Sequence, residues 1–358
     1  MSSYHFNHLL IFPISISAVG IIGNAFAILI LVPCKNKQVY EIFCIGLASS
    51  DMVFLLSTVP ATMMQYIFQR WIFGVVLCKL LNYAVYVTLY TASLMLLGLT
   101  TSRFIAITLP WTNRTMSLRD AKIMCLIIWI FGFVFATPIP IYFTLSSNSN
   151  FSNTSLHCKD DFPAPAVRAT YQLFTVAVTC VAPFSTIIGM NTKIIYVLRK
   201  KEQIDSLRSS RSRSTVKKQR LIAKVTKLII FISTMYCICW LPTHFFNTWF
   251  NVARTNFYKF TKSNNYLLGY LKIISQTLSY FSCCVNFIVY STMSSNFRIA
   301  FEKQFPRFNQ FLGRYSNEKP EEETIKINPD FAVSIKTENC INYDPVNINK
   351  TQLEGLQN

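Results

Sequence analysis

Few side chains in this sequence are placed to do chemistry, and those that are lie in apolar surroundings. Asp51 ends the run LASSD inside a long apolar stretch, and Arg103 closes the next one. A carboxylate at the centre of a bilayer costs roughly 2.5–3.5 kcal/mol on insertion scales, so Asp51 must face a partner or water instead of lipid. Trp240 stands two residues ahead of Pro242 in Cys-Trp-Leu-Pro, and Asn286 precedes Tyr290 by four residues in a late apolar block. Most of the eleven cysteines lie inside apolar blocks, and Cys237 and Cys239 have no second pair nearby, so a zinc site has no support. No phosphate loop or catalytic triad can be assembled either, which speaks against an enzyme, a cofactor or a bound metal.

The elements that must position these residues are membrane helices. Hydrophobic residues make up 52% of the 358 and charged residues only 14%, against about a quarter charged in soluble domains. Seven apolar segments reach the roughly 20 residues that a hydrocarbon core about 30 Å thick requires. They fall near 9–33, 42–67, 74–108, 121–145, 170–198, 222–250 and 266–291. Helices are expected because a lipid-exposed strand leaves backbone groups unpaired, and the alternation of an outer-membrane barrel is missing. The fold class is therefore an all-α membrane protein, a seven-transmembrane helix bundle.

Charge orients the bundle. Residues 1–8 carry no Lys or Arg, whereas Lys35 and Lys37 follow the first span, which predicts an extracellular amino terminus and a cytoplasmic carboxyl terminus. Ten basic residues between Arg199 and Lys224 support that topology. The net charge of +18 thus sits between spans, and no basic face for nucleic acid is indicated. The division expected is an extracellular segment 1–8, a seven-span domain 9–293, an amphipathic membrane-surface helix 294–306 and a disordered cytoplasmic tail 307–358. That helix would bury Phe297, Ile299, Phe301 and Phe305 and keep Arg298 and Lys303 in water.

Taken in order, Gly23-Asn24, Asp51, Cys78, Arg103 with Pro110, Trp129, Pro183, Cys-Trp-Leu-Pro and Asn286 to Tyr290 resemble the marker residues of rhodopsin-like (class A) G protein-coupled receptors, of the peptide-receptor type. The resemblance covers residues 9–305. It implies a plasma-membrane receptor that activates a heterotrimeric G protein when the sixth helix swings about Pro242, with Trp240 sensing the ligand. It implies a disulfide from Cys78 to Cys158, the two cysteines expected on the oxidising outer side. Asn24, Asp51 and Asn286 would form a polar core, either as a sodium pocket or as a hydrogen-bond anchor between helices. Trp111, after Pro110, stands where the family docks a hydrophobic side chain into the G protein. The basic segment RSSRSRSTVKKQR could meet that protein or anionic lipid, although orientation alone explains much of its charge.

Departures from the pattern gather at the cytoplasmic ends. Ser102-Arg103-Phe104 replaces Asp-Arg-Tyr, Asn191 replaces a Tyr, Tyr236 replaces a Phe, and Phe287 stands where Asn-Pro-x-x-Tyr has its proline. Without an adjacent acid, Arg103 should leave its resting position more readily and basal signalling should be raised. A weakly coupling or decoy receptor is one alternative. A transporter is another, although the internal repeats of that class are missing.

Val85 occupies the place of the amine-binding Asp and Tyr280 that of the retinal-binding Lys, so neither ligand is expected. Tyr83, Tyr86, Tyr90, His244, Asn247, Lys272, Gln276 and Tyr280 could hydrogen-bond a peptide backbone, or simply pack between helices. Asp160 and Asp161 could receive a basic side chain. Asn150 and Asn153 are glycosylation sequons in an outer loop, whereas the sequon at Asn113 lies in an inner one. Arrestin and a receptor kinase are further candidate partners, at the tail.

Overall fold

A computed structural model describes residues 3–33, 37–68, 70–108, 116–147, 156–207, 213–252 and 269–287. Among them, six helical stretches are long and apolar enough to cross a bilayer: Ile11–Leu31, Val39–Met63, Gly74–Thr108, Leu118–Tyr142, Pro165–Lys200 and Ile229–Trp249. They belong to α1 (Ser3–Leu31), α2 (Val39–Ile67), α3 (Gly74–Thr108), α4 (Leu118–Phe135) with the short α5 (Pro138–Tyr142), α6 (Pro165–Val176) continuing into α7 (Ala182–Leu207), and α8 (Arg213–Val252). The seventh span is helical over residues 269–287 and is called α9. The bundle expected from hydropathy is therefore present. Helix α1 begins at Ser3, within the stretch expected to precede it, while the helix expected at 294–306 and the tail lie outside the described residues.

Helix α9 turns a row of polar side chains toward protein. Ser275, Ser279, Ser282 and Asn286 are all buried. Thr243 of α8 donates to the Ser275 carbonyl at 2.9 Å and pairs with the Ser279 hydroxyl at 2.7 Å. Trp240 Nε1 donates to Ser282 Oγ at 3.0 Å. In a bilayer such interhelix hydrogen bonds contribute directly, since hydrophobic burial gives helices little reason to leave lipid for one another.

Helices α2 and α3 pack most extensively, and glycines make their close approach feasible. A Cβ on Gly98 would stand 2.5 Å from Phe43, and one on Gly46 would stand 2.8 Å from the Met95 sulfur. Gly23 serves the unusual Phe287 in the same way, since a Cβ there would lie 2.7 Å from that ring.

Two spans are interrupted next to prolines, whereas Pro13, Pro60 and Pro242 lie inside α1, α2 and α8. Helix α4 ends at Phe135, and Pro138 opens α5 in the first turn. A π-helical turn, Ala177–Val181, lies immediately ahead of Pro183 and joins α6 to α7. One expectation is corrected here: residues 143–145 do not continue the fourth span. They begin β1 (Phe143–Ser147), which pairs antiparallel with β2 (Leu156–Asp160), Leu145 opposite Cys158. The run from Ile139 to Leu145 is interrupted by Thr144 but otherwise carries no strongly polar residue, so hydropathy carries the helix past its end.

Candidate functional site

The β1–β2 hairpin covers one end of the bundle and is fixed there by three different contacts. Cys78 at the start of α3 and Cys158 in β2 form a disulfide with Cα atoms 5.7 Å apart. Trp71 packs on that bridge, donates its indole N–H to the Gly74 carbonyl at 2.8 Å and its backbone N–H to the Leu156 carbonyl at 2.7 Å. Gly74 has φ +73°, a conformation that suits glycine and bends the chain into α3. At the far strand, Arg168 forms an ion pair with Asp160 and donates to its carbonyl at 2.9 Å. Asp160, expected to await a basic ligand group, is thus neutralised from within, whereas Asp161 is exposed.

The structure separates the aromatic candidates beneath this cover into two groups. Tyr90 is wholly buried, with its hydroxyl 2.9 Å from Thr175 Oγ1 and its ring against Phe131 and Phe135. Tyr83 donates to the Phe133 carbonyl at 2.9 Å. Both therefore tie α3 to neighbouring helices. Tyr280 is also buried, paired with Thr62 Oγ1 at 3.2 Å and packed against Phe54. Tyr86 stacks on Tyr171 at 5.9 Å, Gln276 is half-buried, and Asn247 and Lys272 are exposed. His244 is buried, with rings of Trp240 and Phe184 at 5.9 and 6.4 Å and no hydrogen-bond partner for Nε2 among the described residues.

Trp240 forms the next layer. Phe54, Tyr236 and His244 surround its ring at 5.2, 5.6 and 5.9 Å, and its N–H is held by Ser282. Pro242 lies two residues on, inside α8. The Trp240 ring thus touches α2, α8 and α9 close to the point where Pro242 deprives α8 of a backbone hydrogen bond.

Further along, Asn286 Nδ2 donates to Asp51 Oδ2 at 2.7 Å, and the neighbouring Cys283 thiol turns to the Ser279 carbonyl of its own helix at 3.6 Å. Asn24 does not complete this pair. Its amide donates to the Gly20 and Cys283 carbonyls at 2.9 and 3.0 Å, and its Oδ1 is buried without a partner among the described residues.

At the opposite end from the hairpin, Ser102 is buried and turns its hydroxyl to the Leu99 carbonyl at 2.7 Å. The Arg103 guanidinium lies over the Tyr40 ring, 4.3 Å from its centroid. Thr100 Oγ1 and Ser233 Oγ, 3.3 Å apart, join α3 to α8 nearby. Asn191 is buried, and its Oδ1 has no partner among the described residues. Pro110, Trp111, Asn150, Asn153 and Tyr290 lie outside the described residues.

Several residues of these layers escape a reading of the sequence. Trp71 and Gly74, just ahead of the outer cysteine, carry a signal that could have found them. Thr62, Ser279 and Ser282 carry none, because a small hydroxyl side chain in an apolar helix looks the same whether it bonds its own backbone or another helix.

A family model described as 7 transmembrane receptor (rhodopsin family) matches residues 23–290. Galanin receptor type 2 of Mus musculus is 27% identical over 289 residues, covering 80% of this chain and 72% of that receptor. The Allatostatin-A receptor of Bombyx mori is 27% identical over 309 residues, covering 84% and 81%. G-protein coupled receptor 54 of Oreochromis niloticus is 27% identical over 300 residues, covering 81% and 76%. The match runs from within α1 to beyond α9, and this chain belongs to the rhodopsin family of seven-transmembrane receptors.

Proposed function

We propose that the chain binds an extracellular peptide at the hairpin-covered end and activates a heterotrimeric G protein at the Arg103 end. The observation that carries this reading is the position of Trp240, which lies beneath His244, is bonded to α9 through Ser282 and stands two residues from Pro242. Displacing that ring by ligand would loosen α8 from α9 and let the half of α8 at the end of the bundle where Arg103 lies swing outward. Relatives named for galanin and allatostatin support a peptide as the ligand. Tyr86, His244, Asn247, Lys272 and Gln276 are the side chains we assign to its recognition, and Asp161 is the acid left to meet a basic group.

The proposed setting is the plasma membrane, with residues 1–8 outside, the seven-span domain at 9–293, the amphipathic helix at 294–306 on the inner surface and the tail 307–358 in the cytoplasm. Arg103, Pro110, Trp111 and Tyr290 then face the G protein, and arrestin and a receptor kinase would meet the tail. Glycans would occupy Asn150 and Asn153. Asp51, Asn24 and Asn286 serve as the polar anchor between α1, α2 and α9.

The test is a panel of amidated neuropeptides applied to cells that carry the receptor and a promiscuous G protein reporter. At least one peptide should evoke a response that Arg103→Ala abolishes at equal surface expression. A response that survives Arg103→Ala, or silence across a broad panel, would overturn the coupling assigned here.

A further inference from the structure

Arg103 is permanently charged and partly enclosed, so some group must hold it while the receptor rests. Its sequence neighbour does not, because Ser102 has no charge and bonds its own helix at the Leu99 carbonyl. The contact that replaces it comes from α2. The guanidinium carbon lies 4.3 Å from the centroid of the Tyr40 ring, well inside the range of about 6 Å over which an aromatic face attracts a cation. Arg103 Nε is buried with no hydrogen-bond partner among the described residues, and the Tyr40 ring is a contact the structure gives the group.

Tyr40 is itself held in place. It is the second residue of α2, and the neighbouring Glu41 is buried, with one carboxylate oxygen accepting from the Gln38 backbone N–H at 2.8 Å and the other 3.4 Å from the Tyr40 hydroxyl. The carboxylate caps the first turn of α2 and adds a favourable field at Arg103. The sequence alone suggests an arginine with no restraint; the structure gives it an aromatic one.

We propose that Tyr40 is the positioning residue that holds Arg103 in the resting receptor, an aromatic cradle in place of the ion pair that Ser102 cannot form. This rests on the reading of the chain as a G protein-activating receptor. For Arg103 to reach a G protein it must leave the ring, so the strength of that contact sets how often the unliganded receptor signals. Removing the ring should raise the active fraction about fivefold, the equivalent of one cation–π contact in a partly dehydrated site.

Two measurements on purified receptor in lipid nanodiscs test this. One is hydrogen–deuterium exchange of the segment containing Thr100–Thr108; the other is ligand-free nucleotide exchange on purified G proteins of each main class. Tyr40→Leu should speed deuterium uptake in that segment and raise nucleotide exchange about fivefold, while Tyr40→Phe, which keeps the ring, should stay within about twofold of the native receptor. Tyr40→Met, of similar reach, serves the same comparison if the leucine variant does not fold. Deuterium uptake unchanged in the non-aromatic variants overturns the proposal, and so does a phenylalanine variant as active as the leucine one, which would assign the restraint to the hydroxyl. If uptake rises as expected and no variant acts on any G protein, the cradle stands and the coupling reading falls.

Discussion

Ser282 of α9 and Trp240 of α8 share one hydrogen bond, and its removal can be approached from either side. Ser282→Ala leaves the indole N–H unpaired in a buried site, while Trp240→Phe keeps most of the ring and leaves the serine bonded to the Ser279 carbonyl at 2.7 Å. Interhelix bonds in membranes contribute about 0.6 kcal/mol on average and up to about 1.7. A double-mutant cycle by thermal unfolding in detergent should therefore show the two losses to be less than additive. Full additivity would mean that the bond contributes nothing to stability. Residues of this kind were partly legible in advance. Asp51, Arg103 and Trp240 stand out because a charge, or an indole beside a proline, is costly or unusual in an apolar run. Tyr83, Tyr86 and Tyr90 form a helical stripe whose shared face is evident from spacing, but which neighbour that face meets depends on how α3 is rotated in the bundle. Tyr83 proved to meet α4, Tyr86 α6, and Tyr90 both.

At the scale of the element, the contact between α2 and α3 places the tightest demand on the sequence. Gly98 admits the Phe43 ring so closely that any side chain there collides with it; Phe43 belongs to the buried core, and Gly98 is buried in α3. Gly98→Leu should lower the unfolding midpoint and the surface expression together, by the roughly 1–3 kcal/mol typical of overpacking. Phe43→Ala added to it should recover part of the loss, although it costs stability by itself. A double variant no better than Gly98→Leu alone would show that the glycine is needed for backbone reasons and not for room. Helix identity was readable from hydropathy in every span, whereas helix ends were not. The apolar run through Ile139–Leu145 conceals the change from α5 to β1, and the π-helical turn before Pro183 follows from backbone hydrogen bonding that no composition encodes.

For the whole molecule, the unequal ends of the bundle decide which side faces the cell exterior. One end carries the hairpin, its disulfide and the Arg168–Asp160 ion pair; the other carries Arg103 and the segment between α7 and α8, where basic residues concentrate. Positive charge is retained on the cytoplasmic side, so the hairpin end should be extracellular. The sequons at Asn150 and Asn153 lie in the stretch that joins β1 to β2, whereas the one at Asn113 lies between α3 and α4, at the Arg103 end. Glycosylation can therefore report orientation independently of signalling. Enzymatic removal of N-glycans should shift the electrophoretic mobility of the native receptor, Asn150→Gln and Asn153→Gln should each remove part of that shift, and the pair should abolish it. Asn113→Gln should change nothing. A glycan on Asn113, with the other two bare, would require an inverted bundle and would move the proposed ligand end into the cytoplasm.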